Sequence, residues 1–155
     1  MLTEKNKAEI LEAMKKYRSP RSAVMDALTI AQKAAGSITQ TDMEDIARLL
    51  EMNPVEVNAA ASFYTMYNIL KPVGRRHIQV CRNLPCSLLG AEHIILHLER
   101  RLGIKTGETT SDNRFTLSTV ECLGSCGTAP MMQINDDYHE NLTVEKIEEI
   151  LKSLE

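Results

Sequence analysis

The chain has 155 residues, 43% of them hydrophobic, and a formal net charge of −3, which suits one soluble domain, or a domain with a sizeable appendage, around a buried core. That charge balance offers no basic stripe to a phosphate backbone, so nucleic-acid binding is set aside. No apolar run approaches the ~18 residues that cross a bilayer, and Glu4, Lys5 and Asn6 stand where a signal peptide would be apolar; the expected compartment is the cytosol, where thiols stay reduced.

The first seventy residues read as helices. Ile10, Leu11 and Met14 recur at helical spacing behind Thr3, a cap, in a segment ending near Tyr17 and Arg18. Ser19-Pro20 predicts a second helix, with serine as cap and proline at the first helical position, where its missing N–H leaves nothing unpaired. Val24, Leu28 and Ala31 carry it to Gly36, a C-terminal stop. Thr41-Asp42-Met43-Glu44 fits a capping box, threonine bonding forward and glutamate back, for a short helix through Leu49 and Leu50. Asn53-Pro54 repeats the cap-and-proline device for a fourth. Phe63, Tyr64 and Tyr67 cluster where this part ends, as core filling or as anchors for a partner.

Lys71-Pro72-Val73-Gly74 breaks the pattern and marks a boundary between a helical domain, 1–72, and a second domain, 75–155. His77 to Cys81 alternates polar and apolar as a half-buried strand that delivers Cys81 at its end. Leu88, Ala91, Ile94, Ile95, Leu98 and Leu102 form one helical stripe stopped at Gly103. This helix is expected to begin just after Cys86, with its positive dipole end toward the cysteine loop. His93 and His97, four apart beside the stripe and without a carboxylate-rich partner motif, read as a solvated or snorkelling pair and not as metal ligands. Phe115, Leu117 and Thr119 alternate in a second strand that ends at Cys122, and Met131 to Ile134 suggests a third, with a turn at Asn135-Asp136-Asp137. Leu142 and Ile147 staple a last helix around the cap Thr143, with Val144, Ile147, Ile150, Leu151 and Leu154 as its buried face and Glu145, Lys146, Glu148 and Glu149 exposed. The order is β-α-β-β-α. If the first two strands are parallel neighbours, both cysteine loops open at one sheet edge, where open α/β sheets place their sites.

All four cysteines fall in two pairs, Cys81-x4-Cys86 and Cys122-x3-Cys126. Disulfides or inert thiols, one structural zinc, and a [2Fe–2S] cluster with two thiolates per iron are all possible fillings, and spacing alone does not decide among them. The surroundings shift the balance toward the cluster. Zinc knuckles usually close with two intervening residues, whereas gaps of four and three leave wider loops. Gly124 and Gly127 flank Cys126 and would let backbone come close to a ligand. The hydroxyls of Ser87, Ser125 and Thr128 are available donors to sulfur.

These pairs, the run Cys122-Leu123-Gly124-Ser125-Cys126 followed by Ala129-Pro130, and Phe63-Tyr64 upstream together resemble the thioredoxin-like [2Fe–2S] component of NADH:quinone oxidoreductase, the E subunit of bacterial respiratory complex I. The likeness covers nearly the whole chain, including Pro20-Arg21 and Lys71 to Arg75; one departure is Ala59, where the family commonly has glycine. The resemblance implies an α/β chain, an N-terminal helical bundle followed by a thioredoxin-like [2Fe–2S] ferredoxin domain. It implies that Cys81, Cys86, Cys122 and Cys126 bind a [2Fe–2S] cluster, which exchanges single electrons with the flavin of a partner NADH-binding subunit. The chain would then be a non-catalytic subunit, cytoplasmic and held at the inner membrane only through the peripheral arm of its complex. No Gly-x-Gly-x-x-Gly, phosphate loop, His-Glu-x-x-His or Cys-x-x-Cys is present, so NADH and flavin are expected to be the partner's ligands. Two alternatives stay open: the equivalent small subunit of an NAD-reducing hydrogenase or formate dehydrogenase, and, in a different class, a zinc-stapled interaction module.

Overall fold

A computed structural model describes residues 2–69 and 72–154. Among these residues, seven α-helices and a four-stranded sheet fall into two compact units, 1–72 and 73–155. Lys71 of the boundary segment lies outside the described residues.

The first unit is helical. Helix α1 (Glu4–Met14) is capped by Thr3, whose hydroxyl accepts from the Asn6 N–H while Asn6 reaches back to the Thr3 N–H. Ser19-Pro20 does not open an α-helix as expected. It leads into a short 3-10 turn, Pro20–Ala23, Ser19 makes no side-chain capping bond, and α2 follows as Val24–Ala35. Gly36, at φ 75°, ends α2 in a left-handed conformation that glycine adopts without strain.

Helix α3 (Gln40–Leu49) also departs from expectation: its cap is Thr39, in a reciprocal box with Asp42, and Thr41 lies inside the first turn. The cause is tertiary. Ile38 is held extended by a bridge to Ile69, its N–H donating to the Asn68 carbonyl at 2.8 Å, so the chain can turn helical only after Thr39. Thr39→Ala should therefore cost about 1 kcal/mol and Thr41→Ala no more than roughly 0.5 kcal/mol. Urea midpoints of the two variants check this, and equal losses would return the box to Thr41. Helix α4 (Pro54–Phe63) is capped by Asn53 as expected. Ile10, Leu28, Ile38, Ile46 and Val57 share one apolar core that also takes Tyr67, whereas Phe63 and Tyr64 stay exposed, so core filling describes only Tyr67 of the three aromatics.

In the second unit β1 (Arg76–Cys81) lies between β2 (Phe115–Val120), parallel to it, and β3 (Met132–Ile134), antiparallel; β4 (Asp137–His139) completes the order β2-β1-β3-β4. The expected turn at Asn135-Asp136-Asp137 leaves no room for β4, which periodicity does not reveal. The turn is made by Asn135, at φ 55°, and Asp136, and Asp137 already pairs with Ile134. Between β1 and β2 the expected single helix is two: α5 (Leu84–Leu88) and α6 (Ala91–Leu102), separated at Gly90 with φ 99°.

Ile78 and Val80 of β1 and Leu117 of β2 pack with Ile94 and Leu98 of α6 and with Ile147 and Leu151 of α7 (Val144–Ser153), all buried. The apolar face of the sheet is thus closed by two helices whose stripes match its alternation. Two stripe members fall outside: Leu88 belongs to α5 and is 77% exposed, and Val144 is 41% exposed at the start of α7. Strand β1 is anchored at its start by Gly74. Its N–H donates to the Thr116 hydroxyl at 2.7 Å, and a Cβ there would meet the backbone of Arg114 and Phe115 at 3.0 Å.

Candidate metal centre

The parallel pairing of β1 and β2 brings the cysteine loops together. Cys81 is the last residue of β1 and sits opposite Val120, the last of β2; Cys122 follows two residues later. Because the strands run the same way, both loops leave the same sheet edge. The junction is stitched by the backbone: Arg82 N–H donates to Val120 at 3.0 Å and Cys81 N–H to Met131 at 3.2 Å.

Cys81 and Cys86 are the buried half. Cys86 is the third residue of α5, whose start is capped by the Asn83 side chain accepting from Leu84 N–H at 2.8 Å. Both thiols, 3% and 2% exposed, pack with Ala91 and Met131 in a small apolar nest separate from the main core. The Cys81 thiol lies 3.8 Å from the Glu121 carbonyl. Burial pushes the Cys86 thiol up, as do its hydrogen bond with Cys81 and the charges of Cys81 and Cys126, while the Met131 N–H on its sulfur pulls the other way. The expectation that a long helix points its positive end at this loop is not met. Cys86 lies within the five-residue α5, and α6 starts only at Ala91.

Cys122 and Cys126 are the open half, both exposed. Gly124 N–H donates to the Cys122 sulfur at 3.3 Å, and the turn that allows this puts Gly124 at φ 78°. That is the physical reason for this glycine. A Cβ at Gly124 or Gly127 would meet no protein atom within 4 Å, so close backbone approach is not what either one provides within the chain. Cys126 opens a 3-10 turn, Cys126–Thr128.

Among the described residues, all four thiols are free and no three His, Cys, Asp or Glu side chains gather closely enough to hold one ion. The structure thus brings Cys81 and Cys86 into contact and sets Cys126 within electrostatic reach of Cys86, with Cys122 on the same loop. As a donor set this fits two-by-two thiolate ligation: soft sulfur in two chelating pairs, with the Gly124 N–H already aimed at the sulfur of Cys122.

The hydroxyls of Ser125 and Thr128 are engaged differently from the sequence expectation. Neither is bonded to sulfur. Both donate to one oxygen of Glu140, Thr128 at 2.6 Å, and the two hydroxyls lie 2.7 Å apart. Those bonds, Ser125 first, hold the Glu140 carboxyl below its usual range. Nothing in the sequence pattern marks Glu140, because it follows β4, a strand that is itself invisible to periodicity. His93 is exposed, and His97 bonds to Glu148 at 2.8 Å, which also takes Arg101, so the acidic face of α7 is not merely solvated.

A model of the thioredoxin-like [2Fe-2S] ferredoxin family matches residues 10–155. The chain is 48% identical over 145 residues to the second E subunit of NADH-quinone oxidoreductase in Rhizobium meliloti (strain 1021), covering 94% of this chain and 86% of that one. It is 44% identical over 154 residues to the E subunit of NADH-quinone oxidoreductase in Rickettsia bellii (strain RML369-C), covering 97% and 92%. Among solved structures, a chain of an NAD+-reducing [NiFe]-hydrogenase in the air-oxidized state matches with TM-score 0.71 at 22% identity, over 83% of this chain. This chain spans 22% of that hydrogenase chain's length, and the likeness is one of fold. Matched over nearly its whole length at close to half identity, with its two thiol loops at one sheet edge, the chain belongs to the thioredoxin-like [2Fe–2S] ferredoxin family, among the E subunits of NADH-quinone oxidoreductase.

Proposed function

We propose that this chain is the iron–sulfur electron-transfer subunit of an NADH-quinone oxidoreductase. Cys81 and Cys86 hold one iron and Cys122 and Cys126 the other. The observation that carries this reading is the arrival of two cysteine pairs at the same end of adjacent parallel strands. A bound [2Fe–2S] cluster supplies one-electron transfer. The chain's own residues do the rest. Burial of Cys81 and Cys86 excludes water from one side, the exposed loop of Cys122 and Cys126 leaves the other side open to a redox partner, and N–H donors to sulfur stabilise negative charge there.

The partner in this reading is the flavin- and NADH-binding subunit of the same complex, since the chain has no dinucleotide or flavin motif of its own. The protein is non-catalytic alone, with an N-terminal helical bundle, 1–72, followed by the cluster domain, 75–155. It is cytoplasmic and reaches the inner membrane through its complex; among the described residues no helix is long and apolar enough to cross one. An NAD-reducing hydrogenase is the competing assembly. The near-half identity to the E subunits favours the respiratory one over a likeness of fold.

Anaerobic reconstitution of the full chain with iron and sulfide tests the site. A red-brown protein with two irons and an electron paramagnetic resonance signal after one-electron reduction is expected. A colourless protein holding one zinc overturns the reading in favour of a stapled module.

A further inference from the structure

No residue from Glu121 to Pro130 is buried; Leu123 and Ala129, both partly buried, pack on the nest of Cys81, Cys86, Ala91 and Met131, so apolar packing fixes the loop that carries Cys122 and Cys126 only in part. Its own regular structure is one short turn, closed by Thr128 N–H on the Ser125 carbonyl at 3.2 Å. Beside that packing and the Arg82–Glu121 ion pair at 2.9 Å, a row of hydrogen bonds from residues 138–142 holds it. The Tyr138 hydroxyl donates to the Leu123 carbonyl at 2.8 Å, Asn141 N–H to Thr128 at 2.7 Å and Leu142 N–H to Pro130 at 2.9 Å. At the centre of this row, Glu140 accepts from both Ser125 and Thr128, the two hydroxyls on either side of Cys126. Lys146 Nζ donates to the Glu140 backbone carbonyl at 2.6 Å and so secures the residue that does the holding.

We propose that Glu140 is a positioning residue for the cluster: by taking both hydroxyls that bracket Cys126, its carboxylate clamps the open ligand loop to the β4–α7 connection. The inference rests on the reading of Cys126 as an iron ligand. The physical case is that hydrogen bonds to an ionised acceptor are about twice as strong as neutral ones, and that a loop without buried side chains opens easily unless such bonds oppose it. Gln32 and Glu99 likewise tie down loops in this protein, accepting from Asn68 N–H at 2.6 Å and Thr106 N–H at 3.0 Å. Glu140 differs in that the loop it grips carries two of the four thiols.

Hydrogen exchange of the metal-free full chain tests the clamp without reference to iron. In Glu140→Ala the Ser125–Thr128 amides should exchange at least about tenfold faster than in the unaltered chain, with amides of β1 and α6 unchanged. Glu140→Gln, which keeps an acceptor but no charge, should fall between. Thr128→Val should reproduce part of the Glu140→Ala effect, and the double variant should exceed Glu140→Ala by less than the sum. In the reconstituted protein, iron should pass to a ferrous chelator faster in the same order. Unchanged loop exchange in Glu140→Ala, or fully additive effects of Glu140→Ala and Thr128→Val, overturns the clamp. Failure of the unaltered chain to take up iron overturns the cluster reading and leaves the exchange result standing.

Discussion

Cys81→Ser is expected to abolish the visible absorption of the reconstituted protein, and Cys122→Ser to abolish or severely weaken it. Serine is nearly isosteric with cysteine, but its hydroxyl deprotonates far less readily and offers iron a hard oxygen in place of a soft thiolate. At Cys81 the loss has no remedy. The side chain is 3% exposed and packed with Cys86, Ala91 and Met131, so no solvent ligand can enter in its place. Cys122 lies on the exposed loop, where water can approach, so its replacement is the case in which a residual, labile centre is tolerable. Far-UV circular dichroism should be little changed in either variant, because the thiol nest is distinct from the main sheet core. Ultraviolet–visible spectra and iron content of both variants check the expectation; a normal reduced spectrum in both would dismantle the assigned ligand set.

The features legible in the sequence were those set within three or four residues of chain. Thr3, Asn53 and Thr143 cap their helices as expected because each cap and its N–H partner are close neighbours. The first two strands and the cysteine loops they feed are legible because alternation and the cysteines coincide, whereas their parallel pairing, which puts both loops at one edge, is fixed only by the tertiary fold. What failed was decided at longer range. Both Thr39 and Thr41 have an acidic residue three positions on, and the choice between them was made by the Ile38–Ile69 bridge. Leu88 keeps phase with the stripe of α6, so periodicity ran straight through Gly90, where the backbone in fact breaks. Strand β4 has three residues, polar or half-exposed, and so carries no apolar alternation to find. Glu140 inherits that blindness: its partners lie 12 and 15 residues back, and only the β3–β4 hairpin brings them within reach.

Leu117→Ala should be strongly destabilising, as a core truncation of the sheet unit that leaves the thiols untouched. Leu117 is fully buried at the middle of β2, opposite Ile78 of β1, and lies in the core shared by α6 and α7. Removing its side chain loses transfer free energy and leaves a cavity that paired strands cannot easily close, a cost of about 2–5 kcal/mol. For a unit of this size each kcal/mol lowers the thermal midpoint by roughly 4–8 °C, so a fall of at least about 8 °C is expected by calorimetry. Leu88→Ala is the matched control. Read from periodicity, Leu88 is a core residue and should cost nearly as much; at 77% exposure it should cost within about 0.5 kcal/mol. Comparable losses in the two variants would mean that α5 and α6 form one continuous amphipathic helix after all. If only Leu117 matters, the packing that holds β2 against β1 is also what keeps the Cys81 and Cys122 loops at a common edge, and cluster loss on heating should follow the unfolding of this core.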